Sequence, residues 1–152
     1  MSNVYITSLQ FVEKNKDFCS DKAIISITYP KPNSMFRNGQ KDILFDHDNV
    51  LRLRFSDDDL DEAELFDPEH IEFEAFNADM AKQVIEFVRQ AQKENKDILV
   101  HCYAGMIRSA SIGIFIGYMF GYDLNPENSE LQPLKYILDI LHEQHQLEFL
   151  KV

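Results

Sequence analysis

"ILVHCYAGMIRSASIG", residues 98–113, carries the reading of the whole chain. Its first five residues are apolar apart from His101 and hold no charge, so they form a short buried strand in the middle of a sheet. From Ser109 onward, "SASIGIFIGYMFG" (109–121) is apolar nearly all round, which marks a buried helix that Gly121 is suited to stop. A turn of only a few residues, 103–107, joins the two. Upstream, Met80, Val84, Ile85, Val88 and Ala91 recur at helical spacing behind Asn77, a good N-cap, and that helix runs out at "KENKD" (93–97). "NVYITSL" (3–9), "AIISITYP" (23–30), "ILF" (43–45) and "VLRLRF" (50–55) read as strands. In the last of these Leu51, Leu53 and Phe55 alternate with Arg52 and Arg54, so one face is less buried. "KPNSMFRNGQK" (31–41) is a loop. Leu134, Ile137, Leu138, Leu141 and His145 share one face of a final helix that Pro133 opens. Strands alternating with helices predict an α/β fold, a central mostly parallel sheet flanked by helices.

The chain has 152 residues, a length for one domain spanning 1–152 with one sizeable core. There is no repeat and no low-complexity linker. The N-terminus lacks the basic and apolar regions of a signal peptide. The longest stretch without charge, 109–122, has 14 residues, against the roughly 20 that cross a membrane. The expectation is a cytoplasmic protein, in which two cysteines, Cys19 and Cys102, do not make a disulfide framework. A net charge of −11 argues against nucleic acid and anionic membranes as partners, since both demand a basic face. It leaves room for an anionic substrate held in a small local site built from backbone N–H groups.

The turn after the strand has the parts of such a site. Open α/β sheets bind ligands at the carboxyl ends of their strands, where Cys102 falls. Ala104 and Gly105 allow a tight turn with its N–H groups directed inward. Arg108 opens the helix, so a guanidinium fork, helix-terminal donors and the helix dipole bear on one anion. Thiols beside a cation and a helix N-terminus ionise readily. The result is a thiolate beneath a phosphate cradle, a nucleophile aimed at phosphorus.

Here the chain resembles a known family. "HCYAGMIRS" fits the HC-x5-R-S signature of the cysteine-dependent protein tyrosine phosphatases, and its strand–loop–helix setting is similar to the dual-specificity branch. "YITSLQFVEKN" with "KAIISIT", and "LRLRFSDDD", resemble that branch's first strand–helix–strand and the strand before its acid loop. The likeness reaches to about Tyr122 and is loose beyond it. It implies a phosphotyrosine protein phosphatase-like fold and phosphomonoester hydrolysis through a phosphocysteine, with no metal or cofactor. The substrates would be phosphorylated proteins or small phosphomonoesters. By this likeness Cys102 attacks phosphorus, and Arg108 binds two phosphate oxygens. His101 holds the cysteine loop, and Ser109 helps the sulfur leave in the second step. Tyr103, Ala104, Gly105, Met106 and Ile107 supply N–H donors along with Arg108. A small or hydroxylated residue often precedes the arginine in this family, and here Ile107 stands there. The loop has no lysine to grip a multiply phosphorylated lipid headgroup, whereas Met106 and Ile107 offer an apolar rim suited to a phenyl ring.

The family's general acid is an aspartate after the preceding strand. Alignment of "VLRLRFSD" makes it Asp57, with Asp58 and Asp59 as rivals. Asp57, Asp59 and Asp61 have the alternate spacing of a calcium loop, but Glu62 and Pro68 stand where such a loop needs glycine and a bidentate glutamate. His47, His70, His142 and His145 make no zinc cluster; the last two straddle an edge of the final helix. Cys19 is either a resolving thiol for Cys102 or an ordinary free thiol, and the second reading is the simpler. Two rival functions share a loop cysteine or a phosphate cradle. One is a phospho-binding module without turnover, which Ile107 favours and an intact cysteine–arginine pair opposes. The other is a rhodanese-type sulfur transferase, which the histidine before the cysteine and the spacing to arginine oppose.

Overall fold

The computed structural model describes residues 2–28, 47–56 and 75–150. The strand expected at 43–45, the loop at 31–41 and the acidic run from Asp57 lie outside the described residues. Strand β1 (Asn3–Ser8) leads into helices α1 (Leu9–Lys14) and α2 (Lys16–Cys19). Strands β2 (Ala23–Thr28) and β3 (Val50–Arg54) follow, then α3 (Ala78–Lys93), β4 (Ile98–Cys102), α4 (Arg108–Phe120), β5 (Asp123–Pro126) and α5 (Lys135–Leu150).

The apolar run at 98–102 is the middle strand. Among the described residues the sheet runs β3-β2-β4-β1-β5, and every pairing is parallel. The expected α/β sheet is therefore observed. All five residues of β4 are buried. On one face Val4, Ile25, Ile27, Ile98 and Val100 pack with α3, α4 and α5. On the other, Ile24 and Leu99 pack with Leu9, Val12 and Cys19 of α1 and α2. Strands covered on both faces read as continuous apolar runs, which is why β2 and β4 show no alternation. Strand β3 is an edge strand among the described residues and does alternate, with Leu53 buried and Arg52 exposed.

Local chemistry sets the helix ends. The Asn77 side chain accepts from the Met80 N–H at 3.0 Å and starts α3. Gly121 takes φ +73° and ends α4. Helix α5 opens at Lys135, two residues beyond Pro133, with the Leu134 carbonyl accepting from the Leu138 N–H at 3.2 Å. On it Ile137 and Leu141 are buried, and His142 and His145 lie edge-on to Phe115. Strand β5 was not expected: it is short, mostly exposed and ends in proline, and it pairs with β1. Among the described residues no helix is long and apolar enough to cross a membrane.

Helix α4 reaches the sheet closely because it is small on that side. A Cβ on Gly113 would stand 2.5 Å from Ile6 Cγ1 and 2.6 Å from its Cδ1, and Ile6 is fully buried. Gly113→Ala is expected to lower stability by about 1–2 kcal/mol, overpacking outweighing the ~1 kcal/mol gain in helix propensity. In an Ile6→Ala background the same change becomes neutral or stabilising. Urea denaturation of the four proteins measures this coupling, and equal effects in both backgrounds would show that the contact does not limit packing.

Candidate active site

Parallel strands bring their carboxyl ends to one edge, so β1, β2 and β4 deliver Ser8, Thr28 and Cys102 to the same side of the molecule. Ser8 stands beside Cys102 in the ladder, and Ser26 beside His101. The His101 ring is fully buried. Its Nδ1 lies 3.3 Å from the Cys102 carbonyl, which can only accept, so Nδ1 donates. In the neutral ring Nε2 then accepts from the Ser26 hydroxyl, 2.7 Å away. His101 thus clamps the strand end, with both ring nitrogens in contact with protein oxygens.

Cys102 is 3% exposed. The Gly105 N–H donates to its sulfur at 3.2 Å, and the Ser109 hydroxyl lies 3.2 Å away. Only glycine serves at 105. Its φ is +77°, and a Cβ there would sit 2.6 Å from the Thr7 carbonyl carbon and 2.8 Å from the Ser8 nitrogen, both backbone atoms. The loop is fastened outward by its carbonyls. Tyr103 O accepts from the Leu9 N–H at 3.2 Å and Met106 O from the Gln132 N–H at 2.8 Å. Ile107 O accepts from the Ser111 hydroxyl at 2.7 Å, and that oxygen accepts in turn from the Leu134 N–H at 2.8 Å. A trans peptide points its N–H opposite to its C=O. The N–H groups of Ala104, Ile107 and Arg108 are therefore directed away from those outer partners. No side chain caps α4. Tyr103 and Ala104 are exposed, and Met106 and Ile107 are half-buried.

Arg108 is buried, 3% exposed, and its Nη1 donates to the Phe55 carbonyl at 3.3 Å. This ties the loop to the segment that leads from β3 into the acidic run. Ser56, the last described residue before that run, is fully buried, and its carbonyl accepts from the Tyr136 hydroxyl at 3.5 Å. Asp57, Asp58 and Asp59 lie outside the described residues. Cys19 packs among Leu9, Val12, Ile24 and Leu99, whereas Cys102 belongs to the core on the opposite face. Burial pushes the Cys19 thiol up.

Three supporting residues escaped the sequence reading. Ser26 is the one hydroxyl in the run Ile24–Ile27, and a polar residue between isoleucines was the available signal. Ser111 left a comparable trace, a hydroxyl inside an apolar helix. Gln132 gave none, because it acts through its backbone.

The comparisons with known proteins bear on the fold. No family model matches the sequence, and no curated protein matches it. Human DUSP28 is similar in structure with a TM-score of 0.59 at 12% identity, over 98% of this chain and 95% of that one. PTPMT1 is similar with a TM-score of 0.57 at 14% identity, over 98% and 93%. The PTP-2 phosphatase of Cydia pomonella gives 0.50 at 15% identity, over 94% and 86%. The chain has the fold of the dual-specificity and cysteine-dependent tyrosine phosphatases.

The turn is expected to tolerate strain better than collision. Gly121 also has a positive φ, +73°, but nothing lies within 4 Å of its missing Cβ. Gly121→Ala should cost about 1 kcal/mol, the strain alone. Gly105→Ala adds a clash with immobile backbone and should cost about 3 kcal/mol or more. Equal shifts in urea midpoint would mean that the loop moves off β1 freely.

Proposed function

We propose that this chain, folded as the cysteine-dependent phosphatases are, hydrolyses phosphomonoesters through a phosphocysteine. Phosphotyrosine is the first substrate class, and phosphoserine and phosphothreonine are the others that the dual-specificity likeness implies. One observation carries the reading: at the carboxyl end of the central strand the Cys102 sulfur is held 3.2 Å from both the Gly105 N–H and the Ser109 hydroxyl, at the mouth of an uncapped helix that Arg108 opens.

In the first step a lone pair on the Cys102 thiolate forms a bond to phosphorus. The ester P–O bond breaks, and the leaving oxygen takes a proton from Asp57. Arg108 would bind two equatorial oxygens and, with the inward N–H groups, stabilise the charge that develops there. The Ile107 and Met106 side chains border the entrance and suit an aryl ring. In the second step water attacks phosphorus and gives its proton to the Asp57 carboxylate. The P–S bond breaks, the Ser109 hydroxyl stabilises the departing thiolate, and inorganic phosphate leaves. His101 takes no proton in this scheme, since both its ring nitrogens are engaged.

Release of phosphate from p-nitrophenyl phosphate in EDTA tests the scheme. Turnover is expected from the wild type and none from Cys102→Ser; a fully active serine variant would refute the assignment. Asp57→Ala should retain a burst with aryl phosphates and lose about 10²-fold or more toward alkyl phosphates. If Asp58→Ala does this instead, the acid is one residue further on. Tight phosphopeptide binding by the wild type with no turnover would favour a phospho-binding module.

A further inference from the structure

Beside the cysteine loop, on the side away from β3, lies a groove of about 770 Å³ whose walls include Tyr103 and Ala104 of the loop itself. The described residues that line it include two carboxylates, Glu13 and Glu127, and no lysine, arginine or histidine. The groove is fixed to the loop, because the Leu9 N–H donates to the Tyr103 carbonyl at 3.2 Å. Glu127 is fixed too: its N–H donates to the Ile6 carbonyl at 2.9 Å, and its Oε1 accepts from the Ser8 N–H at 2.8 Å. Ser8 neighbours Cys102 in the ladder. One strand spacing of ~4.8 Å and one side-chain hydrogen bond therefore place the Glu127 carboxylate within roughly 10 Å of the Cys102 backbone.

A second cleft, of about 340 Å³, adjoins the first at Glu127 and is walled by Tyr5, Phe11 and Phe18. Thr7 lines it. Its hydroxyl is buried, the residue being 3% exposed, and has no hydrogen-bond partner among the described residues. Buried polar groups are partnered in roughly nine cases of ten, so a hydroxyl left over at a cleft points to a partner that comes from outside.

We propose that this surface selects the substrate: a phosphorylated polypeptide with lysine or arginine within about four residues of the phosphorylated one, a reach set by ~3.3 Å per extended residue. The proposal rests on the phosphatase reading for the position of the phosphate. The basic side chain lies against Glu127 and Glu13. The peptide backbone beyond it supplies the N–H that Thr7 lacks, and an apolar side chain fills the aromatic-walled cleft. A polyanionic lipid headgroup is disfavoured, since the groove beside the phosphate is itself acidic.

Fluorescence anisotropy on the Cys102→Ser protein, which cannot turn over its ligand, tests this with two matched phosphotyrosine peptides. One carries lysines three residues to either side of the phosphotyrosine, the other glutamates. The lysine peptide is expected to bind about tenfold more tightly, with the preference shrinking as salt rises. Adding Glu13→Gln and Glu127→Gln, which keeps an acceptor for the Ser8 N–H, should cut the preference to about threefold or less. Glu86→Gln with Glu143→Gln removes the same charge from the exposed surfaces of α3 and α5 and should leave the preference intact. Equal affinities for the two peptides, absence of binding, or an equal loss in the control variant would overturn the proposal. A wild type that fails to hydrolyse p-nitrophenyl phosphate, while the peptide preference persists, would overturn the phosphatase reading and leave the groove standing.

Discussion

The site depends on one contact between backbones. Gly105 lies so close to the end of β1 that a single added carbon would stand 2.6 Å from the Thr7 carbonyl carbon. This approach lets the Gly105 N–H turn back onto the Cys102 sulfur at 3.2 Å. A loop lifted off β1 by one methyl group would lose that donor and the register of the donors that follow. The parallel sheet makes the contact possible, since β1 and β4 must end together for one to floor the loop that leaves the other. The outward carbonyl bonds to Leu9, Gln132 and Ser111 then fix the loop from three directions. Gly105 is thus pinned by geometry, whereas the other loop positions are pinned mainly by their backbone partners. This is why their side chains, Ile107 included, are free to differ from a family pattern.

The electrostatics divide by distance. A protein with a net charge of −11 repels a phosphate dianion at long range. Screening limits that repulsion to about 8 Å at physiological salt, so most of the surface carboxylates act weakly at the site. Short-range groups therefore outweigh distant carboxylates there. Arg108 is nearly inaccessible to water, and a buried cation without partners would be costly. The Phe55 carbonyl offsets part of that cost.

Residues with short-range signals were legible in the sequence. The run 98–121 disclosed the central strand, the loop and the buried helix, because burial on all sides leaves no polar residue to blur the pattern. Asn77 and Gly121 marked helix ends through their own side-chain or backbone chemistry. Cys102, Arg108 and Ser109 were legible as a spacing. Contacts made across long separations were not. The bond between His101 and Ser26 joins residues 75 apart, and nothing local to either predicts the other. Pro133 placed the last helix slightly early, because the chain first lends the Gln132 and Leu134 N–H groups to the cysteine loop and to Ser111 before it coils. The proposed acid is the remaining gap: Phe55 and Ser56 are buried, and Asp57 lies outside the described residues.

Strand β5 shows why selectivity is harder to read than chemistry. It has four residues, little burial and a terminal proline, so neither alternation nor apolar content announces it. Its pairing with β1 is through the backbone, helped by one side-chain bond from Asn125 to Asn3, and backbone pairing leaves no imprint on residue type. Yet β5 is what brings Glu127 to the Ser8 N–H, one strand away from Cys102. The proposed reaction needs a thiol, a guanidinium and a glycine at a fixed spacing, so it would write itself into the sequence. A carboxylate beside the site needs only to arrive there, and any chain path that delivers it will serve. Residues that tune which substrate is taken are therefore to be sought where the topology, rather than a motif, brings charge to the sheet edge.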